Sequence, residues 1–323
     1  MKKLVLAVLC AAALGELGFS QTLSDVAKLE DAERQMKDYF PSFIKVLPDV
    51  AVQQNVQPKA WIGYLYQDPF PQITKRSGKT ARELPHFTVG LVNVGVGLLS
   101  TDTLNKIGKT LGREEVIPLP VLPFPSVSFD LRIGGIKTGG VDLPFDLGFS
   151  FFTLNLDFGS LLGDDASLGL KWTNWGVDAR YLVLRQRGAI PDVSAGVGFA
   201  QWLLDLDTQV IDTALSTNTV YVSGQASYTL NFFVPYLGLK MMTGTNKGKV
   251  TLTLDDSLVP PQAAGYVPED QKSRTLDRED PFFQMQIFGG FGFDWLVFQT
   301  SVGASIDVFT GTPAFNFITR FSL

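Results

Sequence analysis

The chain has 323 residues, 45% of them hydrophobic and 18% charged, with 31 Gly, 25 Phe, one Cys and one His. That charged fraction is low against the roughly 25% usual for soluble domains. A net charge of -5 without any basic block excludes nucleic acid as a partner.

Met1 to Ser20 reads as a secretory signal. Lys2 and Lys3 form the positive start, and Leu4 to Leu14 is an apolar run too short to span a bilayer. Gly18 and Ser20 are the small residues a signal peptidase reads, so the cut is expected after Ser20. The alternative is an uncleaved anchor. Cys10 lies inside this segment, so the mature chain is expected to hold no thiol and no disulfide.

Residues 21–56 form the lead-in. Between Thr22 and Leu47, Leu23, Val26, Leu29, Ala32 and Met36 recur at helical spacing, with Asp25, Lys28, Glu30, Asp31 and Arg34 on the other face. Ser24 is a fitting N-cap and Pro41 a fitting stop. This short N-terminal helix serves either as a plug in the lumen of the downstream domain or as a periplasmic segment beneath it.

From residue 57 the period is two. Strands are expected at 57–66, 86–99, 125–135, 143–157, 166–173, a second run after Asn174-Trp175 with Ala179, Tyr181 and Val183 against Asp178 and Arg180, 192–204, 218–232, 234–243, 282–293, 295–309 and 312–323. In 125–135, Val127, Phe129, Leu131 and Ile133 oppose Ser126, Ser128, Asp130 and Arg132. In 143–157, Phe145, Leu147, Phe149 and Phe151 oppose Asp146, Gly148 and Ser150. In the last, Phe315, Phe317, Thr319, Phe321 and Leu323 oppose Asn316, Ile318, Arg320 and Ser322. One apolar row and one row of Gly, Ser, Gln, Asn and charge, repeated over nearly every strand, is the pattern of a transmembrane β-barrel. Trp61, Tyr64, Tyr66, Trp172, Trp175, Trp202, Tyr236 and Trp295 near strand ends suit aromatic girdles. The fold class is therefore all-β, an antiparallel transmembrane barrel of about 12 strands over 57–323, with 14 as the alternative. A soluble β-sandwich would alternate similarly.

Counting back from Leu323, twelve strands put 294–295, 232–235, 187–191 and 158–165 on the periplasmic side. The outer side then receives 67–85, 136–142, 205–217 and 244–281, with 247–254 in a hairpin standing above the bilayer. Residues 100–124 fit badly as a periplasmic turn. Their run from Ile117 to Pro125 carries Pro118, Pro120, Pro123 and Pro125, which are not expected in a paired central strand. The segment is read either as a piece folded into the lumen or as a strut under the rim. The closing strand 312–323 is expected to seal against 57–66.

Catalytic chemistry is sparse. His86 is the sole His and has no nucleophile motif beside it, and a usual zinc site needs ligands that the chain lacks. Asp164-Asp165, Asp255-Asp256, Asp205 and Asp207 lack the spacing of a calcium loop and read as solvated turn acids. Gly134-Gly135, Gly139-Gly140 and Gly289-Gly290 lack the strand-to-helix setting of a nucleotide loop. No catalytic, cofactor-binding or metal residue is assigned, no cofactor is implied, and the protein is not expected to be an enzyme.

The signal, the alternating strands and the ending Phe321-Ser322-Leu323 resemble bacterial outer-membrane β-barrel proteins. A looser resemblance, through the helical lead-in and the many Phe, is to the long-chain fatty-acid transporter family. That family's Asn-Pro-Ala signature near the mature N-terminus is absent, so no substrate residue is carried over. The resemblance implies an outer-membrane location, lipid as the surrounding partner and recognition of the last strand by the barrel-assembly machinery. The expected function is passive uptake of small solutes, hydrophobic ones included, by a channel or transporter. The rival is a non-conducting surface barrel, an adhesin or structural protein acting through loop 244–281.

Overall fold

The computed structural model describes residues 33–34, 37, 86–100, 121–138, 141–157, 168–208, 211–230, 232–253, 273–295 and 298–322. Among these, ten strands close into one barrel. They are β1 (His86–Ser100), β2 (Val121–Thr138), β3 (Val141–Asp157), β4 (Leu168–Leu184), β5 (Asp192–Thr208), β6 (Ile211–Ser227), β7 (Phe233–Thr253), β8 (Ser273–Trp295), β9 (Phe298–Asp307) and β10 (Pro313–Ser322). Each pairs antiparallel with its sequence neighbours, and β1 closes on β10 with Thr88 opposite Ser322 and Gly97 opposite Ala314. Closure leaves no sheet edge, which is what lets strands cross lipid.

The two faces are the reverse of a soluble protein's. On β7, Leu239 is 50% exposed while its neighbour Lys240 is 4% exposed. Around the barrel, Phe129, Leu147, Phe149, Val177, Val197, Val222, Phe283, Phe291, Val302 and Phe315 all point outward and are exposed, whereas Asp130, Arg132, Asp146, Gln286, Ser301 and Arg320 are buried inside. An apolar wall round a polar interior is stable only with hydrocarbon outside, so the chain is a membrane barrel of the outer-membrane type.

Antiparallel order puts the tips at 139–140, 185–191, 228–232 and 296–297 at one end, together with the start of β1 and the end of β10. The connections 101–120, 158–167, 209–210, 254–272 and 308–312 gather at the other. Short turns mark the periplasmic side and longer loops the outer side.

The lipid-facing band covers only part of the strand length. On β7, which has 21 residues, Leu237, Leu239 and Met241 face lipid, and then Thr243, Thr245, Lys247 and Lys249 continue the same outward row. About 9–11 residues cross the hydrocarbon, so the rest of β7 and its partner β8 stand above it. The upper boundary is drawn by a chain of side chains on the outside wall. Trp175 Nε1 donates to Gln201 Oε1 at 2.8 Å, and Gln201 Nε2 donates to Asn218 Oδ1 at 2.8 Å. An indole with its ring toward lipid and its N–H satisfied belongs at such an interface. Above that level the interior changes character too: Leu170, Trp172, Trp202, Leu206, Leu215, Val250 and Leu252 are buried inside, under an outer surface that carries Lys171, Asp205, Asp207 and Lys247. Once water replaces lipid outside, the apolar side must turn inward.

Several expectations are corrected. Among the described residues the barrel closes with ten strands, not twelve or fourteen. The run 166–173 and the second run after Asn174-Trp175 are one strand, β4, because Asn174 is buried inside and Trp175 lies outside, so the alternation passes through them unbroken. The segment 57–66 lies outside the described residues, and the seam of β10 is with β1. These two changes remove both surplus strands and reverse the parity upstream of β4: 158–167 and 101–120 move to the outer end, and 139–140 to the periplasmic end. The outer stretch 205–217 is a hairpin of β5 and β6 with only 209–210 at its tip, and 247–253 belongs to β7. Pro123 and Pro125 do sit in a paired strand, opposite Leu98 and Val96 of β1. The reason is that β2 pairs with β3 only from Phe129↔Phe151 downward. Above that point it is bonded on one side only, and an edge tolerates proline. Of the helix expected over 22–47, Glu33, Arg34 and Lys37 are described and helical, and the remainder lies outside the described residues.

Candidate functional site

The periplasmic half of the lumen is crossed by a belt of charge. Inward positions on neighbouring strands fall in register: Asp146 of β3 lies opposite Arg180 of β4, and Arg132 of β2 opposite Gly148 of β3, which is itself opposite Asp178 of β4. Asp146 is held from both sides. Arg180 donates to it through Nε at 3.1 Å and through Nη2 at 2.5 Å, and Arg132 pairs with it through Nη1. The other nitrogen of the Arg132 fork, Nη2, reaches Asp178 across β3. Arg320 of β10 pairs with Asp130 of β2 at 2.8 Å, over Gly90 of the intervening β1.

Local sequence makes room for these reaches. A Cβ on Gly148 would stand 2.7 Å from Asp178 Oδ1, so only glycine lets the Arg132–Asp178 pair lie flat on the wall. The same device recurs at Gly198, where the Tyr221 ring occupies the space a side chain would need. Lys240 then sits with its Nζ 3.8 Å above the Tyr221 ring, a cation–π contact. The four cations Arg132, Arg180, Arg320 and Lys240 face the three carboxylates Asp130, Asp146 and Asp178, so the belt carries one cation in excess.

Beside the belt is a cavity of about 30 Å³ bordered by Asp178, Arg180, Tyr221, Gln225, Lys240 and Phe288. That is room for one or two water molecules. Below it, Val234, Tyr236 and Phe288 form an apolar cluster on β7 and β8. Along the interior, Gln225 Nε2, Gln286 Oε1, Ser301 Oγ and Asn174 Oδ1 are buried without a hydrogen-bond partner. Buried polar atoms of this kind are normally met by water. The interior is thus polar and water-demanding, with ion pairs gathered at one level.

The sequence placed Asp130, Arg132, Asp146 and Arg320 in inward rows without assigning them to a site. The structure brings them together with Asp178 and Arg180, two residues taken from the second run of what proved to be one strand. Their shared signal was charge on the inward parity of adjacent strands. His86 is the first residue of β1, opposite Gly134 at the periplasmic end. Asp205 and Asp207 point outward on upper β5, Asp207 facing Asp212. Among the described residues no three His, Cys, Asp or Glu side chains are grouped to hold a metal. Asp164, Asp165, Asp255 and Asp256 lie outside the described residues.

No family model matches the chain, and no curated protein does. Among solved structures it is similar to the outer-membrane protease OmpT of Escherichia coli, with 8% identity over 75% of this chain and 98% of that one and a TM-score of 0.38. It is also similar to a mutant of TodX, a monoaromatic hydrocarbon channel, with 11% identity over 78% of this chain and 70% of that one and a TM-score of 0.33. A third likeness is to a major outer membrane protein of Thermus thermophilus, with 11% identity over 75% of this chain and all of the other and a TM-score of 0.30. No fatty-acid transporter is among these three, and likenesses of this order carry no function with them.

Proposed function

We propose that the protein is an outer-membrane channel for small polar solutes, closed at rest by the Asp130–Arg320 and Arg132–Asp146–Arg180 ion pairs. The observation that carries this reading is the composition of the lumen. Buried ion pairs rarely stabilise a fold better than apolar packing of the same volume. A barrel that needed only to be stable would fill this level with Leu and Val, as it does above the lipid boundary. Charged groups that satisfy one another, beside buried amides that call for water and a cavity of about 30 Å³, make sense as a closed state of a hydrated path. An apolar solute would gain nothing at such a level, so the polar solute class is favoured over the apolar one.

Liposome swelling tests this. Vesicles holding the purified protein should admit small sugars or amino acids, and more so with Asp146→Asn. Vesicles that stay impermeable with both proteins would sink the reading.

A second reading rests on the β7–β8 hairpin. Its outer rows carry Lys247, Lys249, Asp277 and Glu279, and Lys247 pairs with Glu279 at 2.9 Å across the two strands. A charged, two-stranded projection on the outer side is a fitting surface for adhesion. Shortening it between Gly244 and Phe282 should then abolish adhesion of whole cells while the barrel still assembles. Unchanged adhesion would remove this reading.

A further inference from the structure

The N-terminal lead-in has two places to go, the periplasmic mouth or the outer one, and a single contact separates them. Glu33 Oε2 lies 3.3 Å from Arg274 Nε, and the same Glu33 pairs with Lys37 at 2.6 Å one turn along its helix. Arg274 is the second residue of β8, at the outer end of the barrel, and it sits opposite Leu252 of β7. Leu252 is buried inside, and residues directly opposite in an antiparallel pair share a face. Arg274 therefore belongs to the inner row at the outer rim.

From this we infer that the segment carrying Glu33 docks on the outer end of the barrel's interior and not at the periplasmic mouth. Its occupant surface is supplied by the same chain. Below Arg274 the interior is the apolar zone of Leu170, Trp172, Trp202, Leu206, Leu215, Val250 and Leu252. In the sequence, Leu29, Ala32 and Met36 recur around Glu33 at the spacing of an apolar helical stripe. An apolar stripe beside an acidic anchor matches an apolar interior beneath a basic rim.

Chain length permits the placement. About 50 residues separate Lys37 from His86, where β1 begins at the periplasmic end, and an extended chain of that length reaches roughly 160 Å. β7, with 21 residues, is among the longest strands and rises only about 70 Å along its own direction. The inference does not depend on whether the barrel conducts.

The test is site-directed cross-linking in the full chain, in a Cys10→Ser background. Glu33→Cys is combined with Arg274→Cys at the outer rim, or with Ala189→Cys in the periplasmic turn. Cells are treated with a short bis-maleimide, and the heat-denatured protein is run on a gel. The inference expects the 33/274 pair to give a faster-migrating, internally linked band and the 33/189 pair to give none. Linking of 33/189 but not 33/274, of both pairs, or of neither overturns it. Should Glu33→Cys prevent assembly, judged by heat-modifiable mobility, Lys37→Cys replaces it in both pairs with the same expected outcomes.

Discussion

Arg132 on β2 and Asp178 on β4 form an ion pair although β3 runs between them, and the two side chains meet over Gly148. A Cβ at that glycine would stand 2.8 Å from Arg132 Cζ and 2.7 Å from Asp178 Oδ1. Both are far ends of flexible side chains, so the pair would part before the wall moved. Gly148→Val is expected to assemble and to lose about 1–3 kcal/mol to overpacking, read as a lower urea midpoint. Gly224 is the control, since an added Cβ there meets nothing within 4 Å. Gly224→Ala should leave the midpoint unchanged. Equal effects at the two glycines would mean that the Arg132–Asp178 crossing is not what Gly148 serves.

Asp146 is fully buried and is the only carboxylate gripped by both Arg132 and Arg180 among the described residues. Asp146→Leu removes the carboxylate that Arg132 and Arg180 share, leaving Arg132 with Asp178, and should cost about 3–5 kcal/mol. Removing the charge on both sides, as in Asp146→Leu with Arg180→Leu, should recover part of that loss, a coupling of roughly 0.5–3 kcal/mol. Urea titrations of the two singles and the double measure it. Strict additivity would show that the two residues act independently.

The lipid boundary makes a separate prediction on one row of one strand. Leu239 and Thr245 both point outward from β7, the first opposite Gly224 and Ile287, the second opposite Asn218, the residue bonded through Gln201 to Trp175. Leu239→Arg should destabilise the barrel by about 2–4 kcal/mol, as a charge on the lipid face does near the midplane. Thr245→Arg should be close to neutral, because it lies at the boundary level of Asn218 with the exposed Lys247 next above it in the same row. If Thr245→Arg were as costly as Leu239→Arg, the apolar band would have to extend to the hairpin.

Much of this architecture is legible in the residues. The outward row Phe315 and Phe317 and the inward Arg320 of β10 stand where alternation puts them. Strand number was not legible, for two physical reasons. Asn174-Trp175 looks like a turn, yet Asn174 fits a buried inward position and Trp175 an interface, so the strand runs through both. Above the lipid boundary the polar and apolar rows exchange sides, and Trp202 and Leu215, inward and apolar, break the membrane pattern that separates one strand from the next. The belt was hidden for a different reason. Asp130, Arg132, Asp146, Asp178, Arg180 and Arg320 are spread over nearly two hundred positions of sequence, and only the registers of β2 with β3, β3 with β4 and the β1–β10 seam bring them to one level.

If the belt is a closed gate in a water-filled path, weakening its ion pairs must raise planar-bilayer conductance. Purified wild-type protein and the Arg132→Gln, Asp146→Asn double variant are compared after both are shown to have folded-barrel mobility on unheated gels. Weakening the latch by ~1.4 kcal/mol corresponds to about tenfold in the open population. Rare openings are therefore expected in the wild type, and about tenfold more current in the variant. Two folded barrels that pass no current, or that conduct equally, would contradict it.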